Sequence, residues 1–214
     1  YVALLAGIAV ALLCGLFFGT FNGTLITVFD FPPFIATLGN MSIARGLTYA
    51  ITGGYPVSNS VPEFKILGQG EILHIPAPVL IMLLCAIIFT LLLKSTNIGR
   101  NIFAVGGNEE AARYSGINTK KVKMLCYILS SMMAAFSGVL ISSRLGLAQA
   151  VTGNGMEMDA IAAGIIGGIS LSGGVGNAIG PVMGAAIMGF LDNALVLLEV
   201  NAYWQEAIIG AVII

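Results

Sequence analysis

Few side chains in this sequence could do chemistry, and the polar ones of most interest interrupt long apolar stretches. They are Asn22, Asn40, Arg45, Asp192 and Asn193. A polar group in apolar surroundings is costly and usually serves a function. Two interpretations stay open for Arg45 and Asp192, which either hydrogen-bond a polar solute or form an ion pair between helices. The two isolated asparagines are weaker candidates of the same kind.

Other kinds of reactive chemistry have little support. His74 is the only histidine, so we expect no histidine-based metal site within one chain. Cys14, Cys85 and Cys126 form no C-x-x-C pair and are expected to be small buried apolar residues. The phosphate-binding pattern G-x-x-x-x-G-K-[ST] does not occur, and the glycine run 173–180 lacks dinucleotide-binding spacing. We therefore expect no catalytic residue, no metal and no cofactor.

The composition points to a membrane protein. Of the 214 residues, 57% are apolar and only 9% are charged, whereas about a quarter of a soluble domain is charged. The mean hydropathy is +0.97 and the net charge is −1, so neither disorder nor a nucleic-acid partner is indicated. The sequence predicts an all-α bundle of transmembrane helices, with 1–214 forming one transmembrane domain.

Five stretches are long and apolar enough to cross a bilayer, which needs about 20 residues. They are 1–29, 34–51, 77–93, 124–141 and 179–200. A sixth is expected to begin at Tyr203, which with Trp204 would lie at a membrane interface. The apolar stretch 161–169 is too short to cross alone. Both ends of the chain lie within apolar stretches, so we expect a longer protein that has further spans.

Basic residues are distributed unevenly among the connections. The segment 94–123 contains six of the nine: Lys94, Arg100, Arg113, Lys120, Lys121 and Lys123. The connections 52–76 and 149–159 together contain only Lys65. The positive-inside rule therefore predicts that 94–123 is cytoplasmic and that the other two connections lie outside.

Small residues recur every fourth position in the first span. They are Gly7, Ala11, Gly15, Gly19 and Gly23. This spacing is typical of membrane helices whose backbones approach closely. It predicts a compact bundle with a closely packed first helix.

The cytoplasmic segment contains the signals of a short helix over 109–115. Asn108 is a favourable N-cap, and Glu109 and Glu110 suit the positive end of the helix dipole. Gly116 is expected to end the helix, and Asn118 or the next residue to cap the following one. A helix of two turns is not stable alone. It is therefore either a solvated connector or an element presented to a cytoplasmic partner.

Two features near the end of the chain have more than one interpretation. The segment 170–178 is expected to be a tight non-helical connection, which either is a plain turn or borders a pathway. Glu157 and Asp159 come just before a short apolar stretch. These carboxylates either cap a helix or meet a partner outside the membrane.

Four sequence blocks resemble one family. They are GRNIFAVGGNEEAARYSGI (99–117), PFIATLGNMSIARGLTYAITGG (33–54), GMEMDAIAAGIIGGISLSGGVG (155–176) and GPVMGAAIMGFLDNALVLLEV (180–200). The chain is similar to the permeases of bacterial ABC sugar importers of the ribose, xylose, galactose and autoinducer-2 group, and most of all to the ribose type. Relative to that family, the first spans and the last residues are absent.

The resemblance implies a non-catalytic subunit that imports a small, ribose-like sugar across the bacterial cytoplasmic membrane. It implies three protein partners: a cytoplasmic ATPase, a second permease subunit and an extracytoplasmic sugar-binding protein. The positions that match the ATPase-contacting helix are Gly107, Asn108, Glu109, Glu110, Ala111, Ala112, Arg113 and Gly116. The polar residues within the apolar stretches would then line the translocation path. An ion-coupled transporter using Asp192 is the alternative, although Asp192 is the only carboxylate in the middle of a predicted span.

Overall fold

The computed structural model describes residues 2–58, 62–72 and 74–201, together with Trp204, Ile208 and Gly210. In chain order the helices are α1 (Val2–Thr27), α2 (Pro33–Thr52), α3 (Pro62–Gln69), α4 (Ala77–Ser95), α5 (Asn97–Gly107), α6 (Glu109–Tyr114), α7 (Thr119–Leu145), α8 (Met156–Ile166) and α9 (Gly180–Leu197). Short strands lie between them: β1 (Val57–Ser58), β2 (Glu71–Ile72), β3 (Ile75–Pro76) and β4 (Leu147–Ala148). The predicted all-α fold class is confirmed.

Among the residues that the structure describes, four helices are long and apolar enough to cross a membrane. They are Leu4–Thr27 of α1, together with α4, α7 and α9. The second predicted span coincides with α2, which has 20 residues but is not among these four. Polar residues such as Asn40 and Arg45 lower its hydropathy, so its crossing stays a prediction. Tyr203 and most of the predicted sixth span lie outside the described residues.

The chain divides into two compact units. The first unit comprises Tyr1–Ile81 and Asn118–Thr152, and the second comprises Met82–Ile117 and Gly153–Ile214. The first therefore contains α1, α2, α3 and α7, and the second contains α5, α6, α8 and α9. The expectation that 1–214 works as one permease domain stays a prediction.

Helices α1 and α7 pack antiparallel in the first unit, through part of the glycine stripe. A Cβ added to Gly15 would lie 2.9 Å from the Cα of Met132, and one added to Gly19 would lie 2.8 Å from the Cα of Ile128. Only glycine fits where the backbones approach so closely. A Cβ on Gly7 would meet nothing within 4 Å. The predicted close packing is therefore present from Gly15 onwards and not at Gly7.

Two connections of the first unit lie together at one end. Strand β1 pairs antiparallel with β4, which follows α7. Helix α3 packs on the end of α7, where Gln69 Nε2 donates a hydrogen bond to the Arg144 carbonyl oxygen at 2.9 Å. The sequence predicts that both connections lie on the same side of the membrane, and this stays a prediction.

Helices α8 and α9 form a closely packed pair in the second unit. A Cβ on Gly184 would lie 2.8 Å from the carbonyl carbon of Ala163, so the helices touch backbone to backbone. Helix α8 has 11 residues, which confirms that this stretch is too short to cross a bilayer alone. The connection 170–178 is non-helical, as predicted.

This connection packs against the end of α5. Gly173 and Gly174 have φ values of +86° and +73°, which side-chain-bearing residues rarely adopt. A Cβ on Gly106 would lie 2.6 Å from the backbone nitrogen of Gly174. Residues 170–178 thus touch the segment that leads into α6, and the idea that they border a pathway stays a prediction.

One prediction about the cysteines is wrong. Cys14 is exposed, and Cys85 and Cys126 are only partly buried. All three lie on helices with the hydropathy of membrane spans. An apolar sequence context in such a helix therefore does not require burial within the protein.

Candidate functional site

The predicted cytoplasmic helix begins as its sequence indicates. Asn108 is the N-cap of α6, and its Oδ1 accepts a hydrogen bond from the Ala111 backbone N–H at 2.9 Å. The Asn108 backbone N–H donates to the Ala104 carbonyl at 3.1 Å and so ends α5. Glu109 and Glu110 occupy the first turn of α6, where the helix dipole favours negative charge. A single asparagine therefore joins α5 to α6 and fixes the angle between them.

The end of α6 is equally well defined. The Gly116 N–H donates to the Arg113 carbonyl at 3.0 Å, and the Ile117 N–H donates to the Ala112 carbonyl at 3.1 Å. This pair of bonds, with Gly116 at φ +84°, is a Schellman motif. The helix ends at Tyr114, one residue before the predicted end. Asn118 then caps α7, its Oδ1 accepting from the Lys121 N–H at 3.1 Å.

Helix α6 buries one side and exposes the rest. Ala112 is only 5% exposed, while both glutamates, Arg113 and Tyr114 are exposed. The Arg113 guanidinium carbon lies 5.8 Å from the centre of the Tyr114 ring, within cation–π range. Helix α6 packs on α5, an element that the sequence analysis missed. The result is a short supported helix that presents charged and aromatic groups.

A second candidate feature is a polar cavity in the first unit. It has a volume of about 370 Å³ and lies between α1, α2 and α7. Most of its lining is apolar, but it includes the polar side chains of Asn22, Asn40, Thr37 and Ser131. Ligand sites in proteins commonly occupy about 300–1,000 Å³. The cavity therefore brings together both predicted asparagines and is large enough for a small solute.

The two asparagines leave hydrogen-bonding capacity unused. Asn40 is 5% exposed, and its Nδ2 donates to the Phe18 carbonyl oxygen at 3.2 Å. That bond identifies the other end of the amide as the acceptor. Within the described residues, neither Asn40 Oδ1 nor Asn22 Oδ1 accepts a hydrogen bond, although both are buried. Because an unsatisfied buried acceptor is costly, these oxygens point to a donor outside the part of the chain that the structure describes.

Two lining residues were missed at the sequence level. Thr37 lies three residues before Asn40, so both occupy one face of α2. That spacing could have identified Thr37. Ser131 lies on α7, and nothing in the sequence indicates that it meets α1 and α2.

The other predicted path residues lie elsewhere. Ala44 lines the polar cavity, but the adjacent Arg45 does not. Asp192 and Asn193 lie on α9, in the second unit, and are exposed. The structure therefore brings together two of the five residues, Asn22 and Asn40.

Asp192 has a carboxylate neighbour. The pKa of Asp159 is raised above its ordinary value, mainly by partial burial and then by the nearby charges of Asp192 and Glu157.

The N-cap of α8 is Gly155, and no side chain forms a cap hydrogen bond there. The expectation that Glu157 or Asp159 caps the helix is thus wrong, since both lie inside its first turn.

Comparison with known proteins identifies the family. Residues 1–214 match the family described as "Branched-chain amino acid transport system / permease component". The chain belongs to this permease family. With its long apolar helices, a member of this family is a multi-pass membrane protein.

Several characterised permeases are similar to this family member. The Ribose import permease protein RbsC of Bacillus subtilis (strain 168) is 43% identical over 195 residues, which cover 90% of this chain and 61% of the relative. RbsC of Escherichia coli (strain K12) is 42% identical over 214 residues, covering 98% of this chain and 67% of the relative. The Autoinducer 2 import system permease protein LsrC of Yersinia enterocolitica is 40% identical over 205 residues, which cover 95% of this chain and 57% of the relative.

The chain spans about 61% of the length of the first of these relatives. No solved structure matches the chain.

Proposed function

We propose that this chain is the transmembrane subunit of an ATP-driven ABC importer that moves a small sugar, most similar to ribose, into the cytoplasm. The observation that carries the proposal is the 42–43% identity to ribose import permeases over at least 90% of the chain. That similarity extends over both compact units, and so includes α6 and the polar cavity. The relatives give no support to ion-coupled transport through Asp192.

The chemistry of the cavity favours a sugar over an amino acid. The family description refers to branched-chain amino acids, whereas the relatives described above import ribose or autoinducer 2. Among the described residues, no Asp, Glu, Lys or Arg lines the polar cavity. A zwitterionic amino acid would have to give up its hydration there without an opposite charge. A neutral sugar offers hydroxyl groups that donate and accept hydrogen bonds, which suits the uncharged polar side chains Asn22, Asn40, Thr37 and Ser131 that line the cavity.

The proposed partners follow from the same function. A cytoplasmic ATPase would contact the segment from Gly107 to Gly116, whose short helix is capped at both ends and largely exposed. A second permease subunit would complete the pathway, and an extracytoplasmic binding protein would deliver the sugar. The chain itself would do no chemistry, and 1–214 would act as one permease domain.

The proposed orientation places 94–123 in the cytoplasm of a bacterium. Six of the nine basic residues lie in this segment. The connections after α2 and after α7 would both lie outside, and β1–β4 pairing places them at one end of the first unit. Because α1 and α7 are antiparallel, α1 would begin outside and end on the cytoplasmic side.

The test is uptake by the full-length protein, purified with its associated subunits and reconstituted with its binding protein in liposomes. We expect an ATPase subunit to co-purify, and we expect ATP-dependent uptake of labelled ribose. Excess unlabelled ribose should suppress uptake, and excess leucine should not. Suppression by leucine would contradict the sugar assignment, and purification without an ATPase would contradict the ABC class.

Asn40 provides a second prediction. Asn40→Leu is expected to lower the initial rate of ribose uptake about fivefold, because a typical hydrogen bond contributes about 1 kcal/mol. The same change should alter the melting temperature little, since it removes an unsatisfied buried acceptor together with the hydrogen bond from Asn40 to Phe18. Uptake and thermal unfolding in detergent measure the two effects.

Thr48→Val is the matched control for Asn40→Leu. Thr48 lies on the same helix, is exposed, and its hydroxyl donates to the Ala44 carbonyl within α2. Uptake should stay at the wild-type rate. A fall in melting temperature for Asn40→Leu that accounts for its lost uptake would show that Asn40 is structural.

A further inference from the structure

The connection 170–178 contains a small closed loop that exposes apolar side chains. The Ser170 backbone N–H donates a hydrogen bond to the Val175 carbonyl oxygen at 3.1 Å and so closes the loop 170–175. Leu171 is 80% exposed and Val175 is 67% exposed. Because a backbone bond holds the two ends of the loop together, both side chains are presented from a defined conformation.

This loop is unsuited to the hydrocarbon core of a membrane. Non-helical backbone leaves N–H and C=O groups that hydrocarbon cannot satisfy, and Ser172 and Gly173 of the loop are exposed. The loop also touches Gly106, in the segment that contains six of the nine basic residues. It therefore belongs at the proposed cytoplasmic surface, in contact with water. Apolar side chains that are exposed there favour contact with another protein.

Helix α6 is too small to form a stable protein interface alone. Its six residues extend about 9 Å along the axis, and a helix is about 10 Å wide. One side of such a helix offers on the order of 100–200 Å², whereas each partner in a stable complex buries about 800 Å². An ATPase that binds α6 must therefore cover neighbouring elements as well.

The loop 170–175 lies beside the start of α6. A Cβ added to Gly106 would lie 2.6 Å from the Gly174 backbone nitrogen, and one added to Gly174 would lie 2.6 Å from the Cα of Gly107. Asn108 alone separates Gly107 from the first residue of α6. A round contact area of about 800 Å² is about 30 Å across, so one that covers α6 is wide enough to include this loop.

We propose that the loop 170–175 forms a second part of the ATPase docking surface, in which Leu171 and Val175 pack into an apolar site on the ATPase beside α6. The proposal rests on the proposed function, because the partner is taken to be the ATPase of the importer. It adds to α6 a contact from a distant part of the chain. The added contact is apolar, whereas α6 mainly exposes charged groups.

The first test places a photocrosslinking residue in the loop. Leu171 is replaced by p-benzoylphenylalanine in the full-length protein, and the transporter is purified with its associated subunits and irradiated. The excited ketone abstracts a hydrogen atom from a neighbouring C–H group, and the two carbon radicals combine. We expect a covalent product with the ATPase subunit, identified by mass spectrometry. Products formed only with lipid, or only with a second copy of this chain, would overturn the proposal.

The matched control is the same replacement at Leu198. This leucine is 74% exposed and follows the last residue of α9, whereas the loop precedes the first residue of that helix. The two positions thus have similar exposure at opposite ends of one helix. The Leu198 variant should give no product with the ATPase. ATPase products of equal yield at both positions would contradict the proposal.

The second test removes the apolar contact. Leu171→Ser with Val175→Ser should lower ATPase co-purification at least about fivefold, since burial of two apolar side chains is lost. The melting temperature of the permease should change little, because both side chains are exposed. Val196→Ser with Leu198→Ser is the control, since these residues are 59% and 74% exposed, and it should retain the ATPase. Retention of the ATPase by the loop variant, or equal loss in both variants, would overturn the proposal.

Two outcomes separate this proposal from the proposed function. If the ATPase co-purifies with the permease but forms no product with the Leu171 variant, the loop lies outside the docking surface and the importer function stands. If no ATPase co-purifies with the wild-type protein, the proposed function fails and this proposal fails with it.

Discussion

Gly19→Leu is expected to destabilise the folded protein by about 3 kcal/mol or more and to leave little of it intact in the membrane. A Cβ at this position would lie 2.8 Å from the Cα of Ile128 and 3.0 Å from the Tyr127 carbonyl oxygen. Since the obstacle is backbone, no rotamer change relieves it, and α1 must move away from α7. Overpacking costs about 1–3 kcal/mol even where side chains can adjust. Thermal unfolding in detergent and the yield of monodisperse protein measure the loss.

Gly7→Leu is the control on the same helix. A Cβ there would meet nothing within 4 Å. Substitutions at open positions usually change stability by less than about 0.5 kcal/mol, and leucine is a better helix former than glycine. We therefore expect an unchanged or slightly higher melting temperature. An equal loss at both positions would mean that close packing continues along the whole stripe, contrary to the structure.

Glu109→Lys combined with Gly116→Val is expected to release the ATPase while the permease stays inserted and folded. Lysine in the first turn of α6 opposes the helix dipole, at a cost of about 0.3–1 kcal/mol. Valine at a φ of +84° costs about 1–2 kcal/mol or more, because the left-handed conformation crowds its Cβ. A helix of six residues has too few stabilising interactions of its own to offset such losses of free energy. ATPase co-purification should fall at least about tenfold, since 1.4 kcal/mol corresponds to a factor of ten in binding.

The matched control is Glu63→Lys with Gly153→Val. Glu63 lies in the first turn of α3, and Gly153 has a φ of +85° with open space around it. The charge change and the backbone strain are thus the same, but both positions lie on connections predicted to be outside. ATPase co-purification should be preserved. Loss of the ATPase in both double variants would indicate general destabilisation, and retention in both would contradict the coupling role of α6.

Local signals in the sequence predicted the start of α6 correctly and its end to within one residue. Asn108, Gly116 and Asn118 all act within a few residues of the backbone groups they satisfy. Hydropathy located the long helices for the same reason, because crossing a membrane is a property of one segment. Helix α5 was missed because its sequence, NIGRNIFAVGG, contains three glycines, which are poor helix formers.

Features that depend on contacts between two segments could be predicted only in part. The sequence shows the spacing of the glycine stripe, but which of these glycines contact another helix depends on where α7 lies. Asn22 and Asn40 were recognised as polar residues in apolar stretches. Their convergence on one cavity results from the crossing of α1 and α2, to which Asn40 contributes a bond to Phe18. No local pattern contains the contacts of α7 with α1 and α2, so Ser131 could not be foreseen as a further polar residue of the lining.

The contact between the end of α5 and the connection after α8 has a mechanical consequence. At Gly106 and Gly174 two backbones touch with no side chain between them. A side chain can absorb a small displacement by changing its rotamer, whereas a peptide plane cannot. Helix α6 continues from α5 through Asn108. We therefore expect any displacement of the α5–α6 junction to move Gly173 and Gly174 as well, because no side chain lies between the two backbones.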